Sequence, residues 1–192
     1  MFDEQIIRVY QAYSNTIADE AITNGTFGSS FKLNRMTWIK PSFLWMMYRS
    51  GWGEKEGQAR ILAIDMKRTG FNYIVKNAIL SSFSPTSYET YEQWKNALAK
   101  SEIRCQWDPE RDVYGNPQRQ RTIQLGIMGT AVKRYVSDWI VKISDITQEV
   151  KRIKKAIELN IFTQSMLPLE IEYSVNLSGI ESNTRFDSYT NL

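Results

Sequence analysis

Alternating apolar and polar positions open the chain with a strand over Ile6–Ala12, IIRVYQA. A period of two puts Arg8, Tyr10 and Ala12 on one face and Val9, Gln11 and Tyr13 on the other. A helix is predicted over Thr16–Asn24, with Ser14 or Thr16 as its cap and Gly25 as its stop. Pro41 suits the first turn of a second helix through FLWMMYR, which Gly51 closes. ARILAIDM (Ala59–Met66) reads as a short buried strand, and Phe71–Leu80 as a helix with Phe71, Ile74, Val75, Ala78 and Ile79 on one face. After a Ser/Pro-rich turn, YEQWKNALAK reads as helix. Strands are expected over Glu102–Asp108 and Arg121–Ile127, joined by a polar loop, PERDVYGNPQRQ. Val132, Tyr135, Val136, Trp139, Ile140 and Ile143 give the clearest helical period, and Ile146, Val150, Ile153 and Ile157 a last amphipathic helix. The order β-α-α-β-α-α-β-β-α-α argues for one α+β domain, a small mixed or antiparallel sheet packed by helices.

That domain is expected to span residues 1–167. From Pro168 onward the chain carries four acids, one arginine and no lysine, and residues 168–192 read as a loosely tied tail or a late edge strand. With 192 residues, 42% hydrophobic and 23% charged, the chain is long enough for a substantial core and reads as soluble and globular. No apolar run approaches the roughly 20 residues of a membrane span, and MFDEQIIRVYQ places acids where a signal peptide would be basic. Cytosolic residence and no membrane partner are the resulting expectations.

Histidine is absent, which removes Ser-His-Asp and Cys-His triads and every His-ligated metal site. The lone Cys105 excludes an internal disulfide and a cysteine-cluster metal site, and its apolar, strand-like setting reads as core. No metal is therefore expected. Chemistry is left to carboxylates, arginine, tyrosine, amides and hydroxyls. A net charge of +3 permits a phosphate-bearing ligand without marking a general nucleic-acid binder. Walker, GxGxxG, HExxH, GxSxG and EF-hand signatures do not occur.

Four polar constellations remain. In RVYQAYS, Gln11 between two tyrosines needs its amide satisfied, by a ligand or by neighbouring backbone. In MTWIKPSFLWMMYRSGW (Met36 to Trp52), Lys40 precedes the helix start and Ser42 falls in its first turn, where free N–H groups favour an anion. There Phe43, Met46 and Met47 can face the core while Trp45 and Arg49, four apart, share another side fit to hold a planar base or a phosphate. Aromatic spacing of this kind also simply builds core. QWDPERD, with Glu110 and Arg111, is a solvated loop or a carboxylate source, and in RTIQLG Arg121 and Gln124 take opposite faces. Seven Lys/Arg against three acids from Lys133 to Lys155 make a basic helix face, ordinarily solvated.

These stretches, with RILAID, RTIQLGI and AVKRYVSDWIVKISDIT, resemble in order a family catalogued as domain of unknown function 4291, from about Ile6 to Leu167. More distantly, the order of elements resembles the ADP-ribosyltransferase superfamily. That resemblance places VYQAYS at its first motif, with Gln11 at the His/Arg position. It places NGTF (Asn24–Phe27) at the helix end, and TWIKPSFLWMMY at the aromatic second motif before RILAID. It puts Gln124 where a catalytic glutamate is usual, with Glu110 as the nearest loop alternative.

The resemblance implies an NAD-binding transferase that moves ADP-ribose to a protein or nucleic-acid acceptor. Arg8 and Gln11 would position ribose and phosphates, and Tyr13, Trp38 and Trp45 would face nicotinamide or adenine. Lys40 and Arg49 would contact pyrophosphate, and Glu110 or Gln124 would act at the ribose or the acceptor. The rival readings are a non-enzymatic module stacking single-stranded nucleic acid on its tryptophans and a protein-interaction domain with aromatic hot spots.

Overall fold

Three strands far apart in the chain make the first sheet. In the computed structural model, which describes residues 1–173, β1 (Ile6–Tyr13) and β7 (Ile140–Asp145) each pair antiparallel with a central β3 (Arg60–Lys67). The near-continuous apolar run of β3 follows from this place, because both of its faces are covered. The second sheet runs β2 (Thr37–Ile39), β6 (Pro117–Ile127), β5 (Ile103–Arg111) and β4 (Ile79–Leu80), antiparallel except for β4 beside β5. The two sheets meet where Tyr10 N donates to the Lys40 carbonyl at 2.7 Å.

Among the described residues, six α-helices fill in around them. They are α1 (Asn15–Asn24), α2 (Phe43–Ser50), α3 (Arg68–Asn77), α4 (Tyr91–Lys100), α5 (Gly129–Arg134) and α6 (Thr147–Glu158). The larger core takes Val9 and Tyr13 of β1, Leu62 and Ile64 of β3, Cys105, Leu125, and the apolar sides of α1 and α3. A second core lies on the other face of β1 and β3, where Tyr10, Ile61 and Ala63 meet Phe43, Met46 and Met47 of α2 and Val150 and Ile153 of α6. The strand faces and the α2 core residues match the sequence pattern. The single α+β domain is as expected, built on two open sheets rather than one. Among the described residues no helix is long and apolar enough to cross a membrane.

Several elements differ from expectation. The Phe71–Leu80 helix starts earlier and stops at Asn77, because Ile79 and Leu80 pair with Arg104 and Cys105 as β4. The loop between β5 and β6 shrinks to a tip around Asp112–Asn116, since Pro109 to Arg111 and Pro117 to Gln120 stay in the ladder. Pro109 is tolerated there because β4 covers only Arg104 and Cys105, so β5 is an edge at Pro109. The helical period from Val132 holds through α5 and a π-helical turn, Tyr135–Trp139. Ile140 and Ile143 then enter β7, where pairing with β3 overrides the local pattern. At α2, Ser42 is the cap rather than a first-turn residue, its Oγ accepting from Trp45 N at 3.1 Å. Residues 168–173, the start of the segment expected to be a loosely tied tail or a late edge strand, form no strand and touch the domain through Glu170 and Tyr173. The Tyr173 hydroxyl donates to Asn72 and accepts from Arg68, and its ring packs on Phe2 and Phe71. The remainder of the expected tail, 174–192, lies outside the described residues.

Gly70 in α3 lies under the indole of Trp139, where an added Cβ would come within 2.5 Å of Cγ. Gly70→Ala is therefore expected to destabilise the fold by about 1–3 kcal/mol by overpacking. An exposed helix position would instead gain roughly 1 kcal/mol from the same change. Urea denaturation reads the sign directly.

Candidate functional site

One face of the second sheet is apolar and one is not. Ile39, Leu125, Ile127, Ile103 and Cys105 point into the larger core. On the opposite face the register aligns Trp38 with Gly126 and Arg104, then Gln124 with Gln106, then Asp108 with Thr122. Glycine at 126 is what admits the Trp38 ring, since a Cβ there would meet its Cζ2 at 3.0 Å. Lys40 continues this face one step past Ile39, and α2 lies alongside β5 with Trp45 and Arg49 turned away from the second core. α2 thus packs alongside the polar face of this sheet, next to Lys40.

Asp108 is the fixed point of that face. Oδ2 accepts from Gln124 Nε2 at 2.7 Å and Oδ1 from Gln106 Nε2 at 2.8 Å, so two amides from two strands set the carboxylate. Lys40, only 6% exposed, stands 5.3 Å from the centre of the Trp45 ring. Its ammonium makes no hydrogen bond or ion pair among the described residues. Burial draws it down to about 8, the Arg49 charge adds to that, and Asp108 opposes it. Trp45 Nε1, Arg104 Nε and Arg111 Nε are likewise buried with no partner among the described residues. Arg111 stacks on Tyr48 of α2, 4.0 Å from its ring centre. Beyond that ring a cavity of about 160 Å³ opens between α2 and the hairpin tip, lined by Leu44, Tyr48, Trp52, Asp112 and Tyr114.

The register puts Trp38, Gln124 and Asp108 on the polar face of the sheet, Lys40 adjoins Trp45 of α2 and feels the charges of Arg49 and Asp108, and Glu110 stands two residues beyond Asp108. Three other candidates lie apart from this face. Gln11 is 3% exposed in the core, its Nε2 donating to the Trp38 carbonyl at 2.9 Å and its Oε1 accepting from the Tyr135 hydroxyl at 3.0 Å. Neighbouring backbone and a tyrosine satisfy the amide that the strand pattern left open. Tyr13 is buried against Phe27 and Phe31, and its hydroxyl meets Thr37 Oγ1 at 3.3 Å. Arg8 forms a two-point ion pair with Asp65, its cross-strand neighbour, at 2.7 and 2.8 Å. Cys105 is core as read, its thiol pushed up to about 12 by burial, with the Asp108 charge adding.

Arg104 and Gln106 carry no motif signal in the sequence, and Asp108 enters there only as one of the acids of QWDPERD. Their i, i+2, i+4 spacing on a strand was the available signal, and the acids of QWDPERD drew attention to a loop instead. Glu170 is a further omission. From the segment after Pro168 it accepts the Phe43 N–H at 2.7 Å, on the first residue of α2.

No curated protein and no solved structure matches this chain. A family match covers residues 1–173, wider than Ile6–Leu167 and inclusive of both sheets and the Glu170–Tyr173 segment: the chain belongs to the family described as Domain of unknown function (DUF4291).

Proposed function

We propose that this chain binds NAD in a cleft between α2 and the polar face of the second sheet and transfers ADP-ribose to a protein or nucleic-acid acceptor. The observation that carries the reading is the chemistry of the unmet groups. Trp45 Nε1, Arg104 Nε and Arg111 Nε are buried donors for which no described residue supplies an acceptor, and the nearly buried Lys40 adds a positive charge beside Trp45. Buried donors without acceptors are costly, and a pyrophosphate rich in anionic oxygens offsets that cost with charge-assisted bonds. Trp38 and Trp45 offer flat apolar surface for nicotinamide or adenine. Asp108, clamped by Gln106 and Gln124, offers fixed negative charge to the ribose as positive charge develops on it.

The bond from nicotinamide to the ribose anomeric carbon breaks with its electron pair leaving on nicotinamide. The acceptor's nucleophile then bonds that carbon and gives up its proton, for which Glu110 at the rim is the base. In this version Gln124 positions Asp108. Gln11 and Tyr13 support the sheet that carries the cleft, and Arg8 stays paired to Asp65.

Calorimetric titration with NAD and an assay for released nicotinamide, with cell lysate as acceptor, test the reading. Silence in both overturns it. Binding of RNA that falls steeply with salt and ignores NAD would favour the nucleic-acid module instead. Lys40 supplies a finer prediction. Its ammonium is intact below about pH 8 and lost above, so NAD affinity is expected to fall by up to tenfold per pH unit above that point. Lys40→Met is expected to bind at least about tenfold more weakly at pH 7 and to show no such fall.

A further inference from the structure

Two exposed tyrosines line the cavity between α2 and the hairpin tip, and the function proposed above uses neither. Tyr114 is 71% exposed and Tyr48 44%, so neither ring serves as core. Leu44 and Trp52 add apolar wall from α2 and the turn after it, and Asp112 adds a carboxylate. Trp52 is held at φ 57°, a left-handed conformation that glycine adopts freely and a bulky residue does not. Strain of this kind collects at binding sites, where it fixes a side chain in place. The tip is also built in advance of any ligand. Asp112 Oδ1 accepts from Tyr114 N at 2.9 Å and from Asn116 N at 2.8 Å, and its Oδ2 accepts from Asn116 Nδ2 at 2.9 Å. Gly115 lies against Tyr48, where an added Cβ would come within 3.3 Å of Cδ2. Both rings are thus presented with little ordering left to do on binding.

Asp112 decides what the cavity takes. Three of the roughly four acceptor positions of its carboxylate are used within its own loop, which leaves one on Oδ2. Its charge meets no cation among the described residues. Arg111, next to it in the chain, donates to the Gly115 carbonyl at 3.2 Å and stacks on Tyr48, while Lys55 donates to the Arg49 carbonyl at 2.7 Å. At about 160 Å³ the cavity is smaller than the roughly 300–1,000 Å³ of sites for drug-sized ligands, and has room for one side chain. We propose that it receives a lysine side chain from a partner polypeptide, with the stem against Leu44 and Trp52 and the ammonium among the tyrosine rings, bonded to Asp112 Oδ2. Aromatic faces attract a cation, and apolar wall shelters the four-carbon stem. One open acceptor position suits an ammonium, a point charge that needs a single bond. A guanidinium fork is matched instead by a carboxylate with two oxygens open. Taking that polypeptide to be the transfer acceptor rests on the function proposed above; the docking itself does not.

The test titrates blocked Gly/Ser peptides carrying one central lysine into the isotope-labelled full chain, without NAD, and follows the Tyr114 and Gly115 amide resonances. The lysine peptide is expected to shift both saturably. Norleucine in its place is expected to bind at least about tenfold more weakly, and arginine several-fold more weakly. Asp112→Asn keeps an oxygen for the Tyr114 and Asn116 amides, and so keeps the tip, but gives up the charge. It is expected to bring the lysine peptide down to the level of norleucine. Tyr114→Ala removes an exposed ring whose hydroxyl makes no hydrogen bond among the described residues. It is expected to weaken lysine binding several-fold at an unchanged melting temperature. A lysine peptide that shifts neither amide, norleucine or arginine binding as tightly as lysine, or either variant binding lysine like the wild type overturns the proposal. NAD is absent throughout, so failure of the lysine site and failure of NAD binding are separate results.

Discussion

Asp108→Asn is expected to lower nicotinamide release by about 10²–10³-fold while leaving NAD binding within a few-fold of wild type. The carboxylate accepts from Gln106 and Gln124, and an asparagine oxygen can keep one of those contacts but not the negative charge. In the proposed transfer only the charge would act on a ribose that turns cationic during bond cleavage, so the loss would fall on turnover rather than on affinity. Lys40→Met is expected to do the reverse, weakening binding first. Gln124→Leu belongs between them, because it unclamps Asp108 without removing the charge. If Asp108→Asn releases nicotinamide at the wild-type rate, Asp108 is not the stabilising group and the chemistry must be sought elsewhere in the cleft.

The largest stability effect is expected at Trp139. It closes the π-helical turn and is almost fully buried, with its ring 5.5 Å from Tyr73 and the Arg134 guanidinium 4.7 Å from the ring centre. Its indole fills the notch left by Gly70 of α3, so no neighbour can collapse into the space it vacates. Trp139→Ala is expected to cost about 3–5 kcal/mol. At roughly 2–4 °C per kcal/mol for a chain of this size, the melting temperature falls by about 6–20 °C. A thermal melt that moves by less than 2 °C would show that the turn is not anchored by this ring.

How far the fold was legible depended on which physics decided each element. The strand at Ile6, the helix after Ser14 and the helix YEQWKNALAK were readable because period, cap and stop agree locally. Gly25 and Gly51 adopt left-handed φ of 70° and 59°, the conformation that makes glycine the natural stop. The β2 strand, TWI, was invisible because three residues carry no period and only β6 makes them a strand. Ile140–Asp145 misled for the converse reason, since a helical stripe ran into a segment whose fate β3 decides.

The site divided the same way. Trp45 and Arg49 were legible because helix geometry separates them from Phe43, Met46 and Met47, and Lys40 because it stands just before the helix start. Gln11 looked equally promising, since period two can say which face a residue takes but not what lies opposite. Its partners, Trp38 and Tyr135, come from 27 and 124 residues away. Asp108 became the centre only when β6 brought Gln124 beside it.

The three-stranded sheet has a consequence for biosynthesis. Its middle strand, β3, is complete at Lys67 but does not gain its second neighbour until β7 ends at Asp145. During translation the nascent chain must therefore carry an apolar strand with one open edge while most of the polypeptide is still being made. The sheet as described cannot be completed before Asp145 has been made.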